Sequence, residues 1–373
     1  MRTIRALLAV SLVVSACSSV RTSSISQDDG APSAAASANA FSLALFRQTA
    51  QTEKETVFLS PLSVSMALNM VAIGAEGDTK KELEATIAST AQMPQDSLLK
   101  IAYSLWIKPD FQVKQSYIEA CAPYRAEVYN QAVSADDINS WAALKTNNKI
   151  THVLSDPLRD YRMMIVNALY FKADWASPFN EAFTRKELFH PLHGEPYLVP
   201  MMHKTANYGY NQTDYAQILE INYRGGQYAM DIILPNENLT EVLKHMTEEE
   251  YIAVLPGSTE RVALTMPKIK LSYERRLNED LQAVGIKRIF TAKAELGGIS
   301  EEKTFVSLVK QNTFLSVDEQ GTEAAAVTTI GLRATAFRPE KEPIPFVVDK
   351  PFIVLIRQTQ TNTILFLGKI TQI

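Results

Sequence analysis

Residues 318–339 read Asp318-Glu319-Gln320-Gly321-Thr322-Glu323-Ala324-Ala325-Ala326-Val327-Thr328-Thr329-Ile330-Gly331-Leu332-Arg333-Ala334-Thr335-Ala336-Phe337-Arg338-Pro339. The stretch follows a strand-like run ending near Val317 and precedes another near Phe346. A connection this long is ordinarily a polar, turn-rich loop. Here every second residue from Thr322 is small or apolar: Thr322, Ala324, Ala326, Thr328, Ile330, Leu332 and Ala334. The intervening set carries Glu323 and Arg333. That is the two-residue period of a strand with one face in a core, placed where a loop belongs. A permanent strand leaves Gly321, Gly331 and Pro339 unexplained. The stretch thus has the pattern of a strand while lying in a loop position, with a permanent strand or an Ala-rich helix end as the plainer readings.

Outward from this segment, helices gather in the first half of the chain and strands in the second. Asn39–Thr49, Val64–Gly74, Lys80–Ala88 (N-capped by Thr79), Tyr117–Tyr129 and Asp137–Ile150 read as helices. Met163–Phe171 is continuously apolar and of strand length, as expected for a strand buried on both faces. Val199–Tyr210, Ala216–Tyr223, Tyr228–Leu234, Arg261–Leu271, Val306–Val317, Phe352–Gln358 and Thr363–Gly368 read as further strands. Asn278–Val284 is a helix ended by Gly285. No repeat or long linker follows residue 40, so the expectation is α+β in one large domain.

Composition narrows the function. The chain has 373 residues, 46% hydrophobic and 21% charged, with a formal net charge of −4. No basic surface for nucleic acid is implied. The two cysteines, Cys17 and Cys121, exclude a disulfide framework and a multi-cysteine zinc cluster. Cys121 falls at a buried helix position and reads as an inert core thiol. GxSxG, GxGxxG and GxxxxGK[ST] are absent, as is HExxH. Glu248-Glu249-Glu250 suits a helix start, and His190-Pro191-Leu192-His193 a surface turn. Nothing here calls for an enzyme, a metal or a cofactor.

The N-terminus carries Arg2 and Arg5, then an apolar run, Ala6–Val14, too short to span a bilayer. Val14-Ser15-Ala16-Cys17 resembles the lipobox of bacterial lipoproteins. That implies a signal peptide over residues 1–16 and a lipid on Cys17, which anchors the chain at the cell envelope, at the outer membrane or cell surface. An ordinary secretory signal and a secreted product is the alternative. Residues 17–38, rich in Ser and Ala, read as a flexible tether. Residues 39–373 form the folded domain.

Across that domain the chain resembles the serpin family, the suicide inhibitors of serine and cysteine proteases. The elements are Phe58-Leu59-Ser60-Pro61-Leu62-Ser63, Gly74-Ala75-Glu76-Gly77-Asp78-Thr79, Ile138-Asn139-Ser140-Trp141, Thr146–Ile150, and Val166-Asn167-Ala168-Leu169-Tyr170-Phe171-Lys172 with Trp175. Val199-Pro200-Met201-Met202, the segment from Asp318 to Ala326, Lys350-Pro351-Phe352 and Ile364–Lys369 follow in order. Each is weak alone; in this order they are specific.

The resemblance implies three β-sheets, about nine helices and an exposed reactive loop near 319–345. It implies a monomer that binds a target endopeptidase through a covalent acyl-enzyme, after which the cut loop inserts into the central sheet. Glu319, Gly321, Thr322, Glu323, Ala324, Ala325 and Ala326 match the hinge. Ser60, Ser63 and Asn167 match the polar shutter under the opening sheet. Trp175 and Lys268, with Glu319, match the breach where the loop enters. Thr322 is the residue whose side chain must pass into the interior on insertion. The shutter His of many serpins is Gln311 here, and the Gly before the breach tryptophan is replaced, giving Lys172-Ala173-Asp174-Trp175. The stretch Ala91–Asp110 looks short of a helix, the heparin-binding one in some animal serpins. The reactive bond lies about fourteen residues past the hinge Gly, at Thr335–Ala336, with Arg333 and Arg338 as alternatives. A non-inhibitory serpin serving as a binding or carrier protein is the competing reading.

Overall fold

A computed structural model describes residues 34–87, 98–124, 127–155, 161–322 and 342–373. In chain order these form α1 (Ala34–Thr52), β1 (Val57–Leu59), α2 (Pro61–Ile73), α3 (Gly77–Thr86), β2 (Leu99–Ile107), α4 (Gln115–Cys121), β3 (Glu127–Tyr129), α5 (Ala135–Lys145), β4 (Met163–Phe171) and β5 (Ala173–Asp174). Then come β6 (Arg185–Phe189), β7 (Tyr197–Gln212), β8 (Ala216–Asn222), β9 (Tyr228–Pro235), α6 (Leu239–Lys244), α7 (Glu248–Val254), β10 (Ser258–Pro267) and β11 (Ile269–Arg276). The chain closes with α8 (Asn278–Ala283), β12 (Val306–Val317), β13 (Gly321–Thr322), β14 (Ile344–Val347), β15 (Phe352–Gln358) and β16 (Ile364–Ile370).

The apolar run Met163–Phe171 becomes β4, buried at every residue. It is central to a seven-stranded sheet ordered β3-β2-β4-β12-β13-β5, with β11 on β12. Burial on both faces removes the need for alternation. One face lies on the main core and the other under α5, where Trp106, Trp141, Met164, Val166 and Phe314 form a second cluster. α2 is buried from Pro61 to Ala72, which is why apolar residues lie on every side of it, with Ser63, Ser65 and Asn69 buried among them.

The other sheet has nine strands, β1-β16-β15-β9-β8-β7-β10-β14, with β6 on β7. Among the described residues there are thus eight α-helices and two hydrogen-bonded sheets. The third sheet implied by the resemblance is one half of the larger. The sixteen-residue β7 pairs with β6 and β10 and, near its end, with β8, so it joins the halves.

Several boundaries differ from the sequence reading. Arg261–Leu271 is not one strand: after Pro267 the chain leaves one sheet, and β11 begins in the other at Ile269. The helix read over Tyr117–Tyr129 stops at Cys121, because Pro123 follows, and Glu127–Tyr129 is a strand. Asp137–Ile150 is helical only to Lys145, and Asn147 and Asn148 take left-handed backbone. The N-cap of α3 is Glu76, not Thr79, whose amide instead donates to the Glu295 carboxylate. α1 starts at Ala34, ahead of Asn39, so helix occupies the end of the expected tether; its alanines favour that. Cys121 is fully buried and free, and burial pushes its thiol up. Residues 1–33, including Cys17, lie outside the described residues, as do 88–97.

Candidate functional site

β4 and β12 run parallel as direct neighbours, in register from Met164 opposite Leu308 to Tyr170 opposite Phe314, with a bulge between Val306 and Leu308. A strand entering the sheet between them must separate this seam. Two polar groups of side chains sit on it.

The first bridges its middle. Asn167 and Gln311 are opposite each other in the register, and the Gln311 Nε2 donates to the Asn167 Oδ1 at 2.8 Å. The same Nε2 donates to the Ser60 carbonyl oxygen at 2.9 Å, while the Oε1 accepts from the Ser60 amide at 2.9 Å. Asn167 Nδ2 donates to Ser63 Oγ at 2.6 Å. All four residues are buried. An amide side chain suits this place because it donates and accepts at once. Ser60, Ser63 and Asn167 are therefore brought together around Gln311. Ser60 serves through its backbone, since its hydroxyl has no partner among the described residues.

The second group closes the head of the seam. Asp318–Gln320 make a tight turn, in which the Asp318 carboxylate accepts from the amides of Gln320 (2.9 Å) and Gly321 (3.3 Å). The chain then reverses into β13, which pairs antiparallel with β12, Val317 opposite Thr322, and with β5, Thr322 opposite Ala173. Only glycine fits at 321: a Cβ there would lie 2.3 Å from the Ala173 carbonyl oxygen. The hinge thus already occupies the first two positions of a new strand.

Several groups hold it there. Trp175 Nε1 donates to the Asp318 carbonyl oxygen at 2.9 Å, and the amides of Trp175 and Phe179 donate to the carbonyl oxygens of Gln320 (2.8 Å) and Glu319 (2.7 Å). The buried Glu319 carboxylate accepts from Lys268 Nζ and from Thr184 Oγ1, each at 2.7 Å. Burial works to raise the Glu319 pKa, but Lys268 and Thr184 outweigh it and hold the carboxyl below its ordinary value. Lys268 reaches Glu319 because it is the residue at which the chain crosses between sheets.

One expectation changes. Thr322 does not wait for insertion to enter the interior. It is fully buried, its hydroxyl 2.7 Å from that of Tyr223, and Tyr223 stacks on Trp175. Tyr223, Thr184 and Phe179 were not anticipated from sequence; no local pattern marks them. Glu323, Ala324, Ala325, Ala326, Arg333, Thr335, Ala336 and Arg338 lie outside the described residues.

The model of the serpin (serine protease inhibitor) family matches residues 36–373. The chain is a serpin. A serpin-like protein of Thermococcus kodakarensis is 32% identical to it over 370 residues, 89% of this chain and 84% of that one. Iripin-2 of Ixodes ricinus is 33% identical over 368 residues, 90% and 92% of the two chains. The thermophilic serpin Tengpin in its native state matches the structure with a TM-score of 0.83 at 27% identity, covering 91% of this chain and 94% of that chain. Human thyroxine-binding globulin matches with a TM-score of 0.81 at 26% identity, covering 91% and 98%. The α+β serpin fold is therefore established for this chain. Serpins generally act as protease inhibitors and not as catalysts, and some members are carriers.

Proposed function

We propose that this serpin is a suicide inhibitor of serine endopeptidases, with cysteine endopeptidases as the further class to test, acting from the cell envelope through a lipid on Cys17. The observation that carries the reading is the hinge strand Gly321–Thr322 seated at the head of a closed parallel seam. After a protease attacks the loop, Ala324, Ala326 and Thr328 follow Thr322 inward, small enough to pass between β4 and β12. Each residue that zips in gains ladder hydrogen bonds and burial. Inhibition is a race between this insertion and hydrolysis of the acyl-enzyme, and each 1.4 kcal/mol of extra barrier slows insertion tenfold. The protease recognises the segment around Thr335–Ala336, with Arg333 or Arg338 as the specificity residue for trypsin-like enzymes. Hinge chemistry favours this reading over that of a carrier, for which the likeness to thyroxine-binding globulin speaks.

The test is incubation with elastase-, trypsin-, subtilisin- and papain-like proteases, followed by denaturing gels and N-terminal sequencing of the released peptide. A covalent complex with at least one of them is expected. Cleavage throughout without complex would overturn the inhibitory reading. Cys17→Ser should leave the membrane fraction; a variant that fractionates and labels with lipid precursor as the parent does would refute the anchor.

A further inference from the structure

The closed part of the seam ends at Tyr170 opposite Phe314. Above that rung β4 and β12 are already parting, because Ala173 and Val317 are each paired with Thr322. Tyr170 and Phe314 are therefore the first paired rung that a longer inserted strand must separate. Both side chains are buried on the face of the sheet covered by α5. Their rings meet edge-on across the seam, with centroids 6.2 Å apart and planes inclined at 60°. Lys149, on the segment that follows α5, holds its Nζ 5.8 Å from the centroid of the Phe314 ring. The Gln311–Asn167 bridge lies farther down the same seam and on the opposite face. A strand zipping in beyond Thr322 thus reaches the aromatic rung first and the polar bridge afterwards.

We propose that Tyr170 and Phe314 form a latch that sets the rate at which the seam opens. Neighbouring strands lie about 4.8 Å apart, so one added strand carries the two centroids beyond the roughly 7 Å within which aromatic rings attract. The contact is made in the intact protein and lost in the inserted one. Continuing the register of Thr322 opposite Ala173 and Val317 brings Ala325 to this rung, and its methyl group is small enough to lie between the rings. An aromatic pair of this kind is worth about two- to tenfold in the rate of a step that breaks it. The latch opposes insertion while the loop is uncut and gives way once cleavage frees the strand. This inference rests on the inhibitory reading.

The test is stopped-flow tryptophan fluorescence of the full chain mixed with a saturating protease that cuts within 323–341. Trp106 and Trp141, in the same cluster as the latch, report the opening. Phe314→Leu and Tyr170→Leu should each insert about two- to tenfold faster than the parent. Tyr170→Phe keeps the ring and should insert at the parent's rate. Calorimetry gives a second readout. Each leucine variant should melt below the parent when intact and lose less once cut, since the inserted strand has already parted the rings. A general packing defect would lower both forms alike. In a parent that gains heat resistance on cutting, unchanged rates in both leucine variants, or equal losses in intact and cut forms, would overturn the latch alone. A parent whose cut form melts as the intact one does would count against the inhibitory reading, and the latch would fall with it.

Discussion

The hydroxyls of Thr322 and Tyr223 lie 2.7 Å apart in a fully buried site of the uncut chain, with Thr322 paired to Val317. In the proposed mechanism the first step of insertion is thus already taken in the intact serpin, and the energetic demands on Thr322 apply to both states. Thr322→Arg puts a charge into this site at a cost of several kcal/mol. The variant should melt below the parent by calorimetry, still be cut near Thr335, and form little covalent complex on gels. A parent-like melting transition with undiminished complex would refute the assignment.

The Gln311 amide ties β12 to β4 and to the chain at Ser60. Gln311→Leu leaves the Ser60 amide and carbonyl and the Asn167 Oδ1 without these partners. Each orphaned buried group costs about 1–3 kcal/mol. The urea midpoint of the intact protein should fall accordingly. A midpoint equal to that of the parent would mean that the bridge contributes nothing to the closed seam.

Continuing the register of Thr322 opposite Val317 brings Thr328 opposite Gln311, with its side chain toward the same core. Thr328 would then replace Asn167 as the neighbour of Gln311 once the loop is inserted. Thr328→Val should leave the melting of the intact protein unchanged and lower that of the loop-cleaved protein, by about 1 kcal/mol for one lost hydrogen bond. Equal loss in both forms would contradict this register.

The breach responds to acid. Glu319 is held below its usual value near 4.5, so its stabilisation is complete above that pH and is lost as pH falls through the lower folded value. Lys268→Met removes the opposing cation, and burial then acts with less opposition to raise the carboxyl. In the variant the loss should begin at higher pH. The difference in stability between parent and variant should be at most about 1 kcal/mol, because Lys268 is partly exposed. It should shrink as pH is lowered from about 7 to about 3. A difference independent of pH would show that the pair does not clamp the hinge.

Much of this fold was legible because it rests on local chemistry. Met163–Phe171 announces a strand buried on both faces. The break at Pro267-Lys268 was not legible, because the residues on either side favour strand and only packing places them in different sheets. The short β3 was hidden behind a helical pattern, although Pro123 was the available signal. Ser60, Ser63, Asn167, Trp175, Lys268 and Glu319 were found by resemblance to the family. Tyr223 and Thr184 were missed because their partners are 99 and 135 residues away in sequence. The docked state of Thr322 escaped notice because a two-residue strand has no period.

Whether the cut loop enters the seam between β4 and β12 decides the mechanism. The direct measurement is calorimetry of the intact protein beside the same protein cut once within 323–341. If the loop inserts, the native fold is a kinetic trap and its release adds several kcal/mol of ladder bonds and burial. The cleaved form should then melt higher by on the order of 10 °C or more. A cleaved chain with an unchanged melting transition would contradict insertion, and with it the inhibitory mechanism.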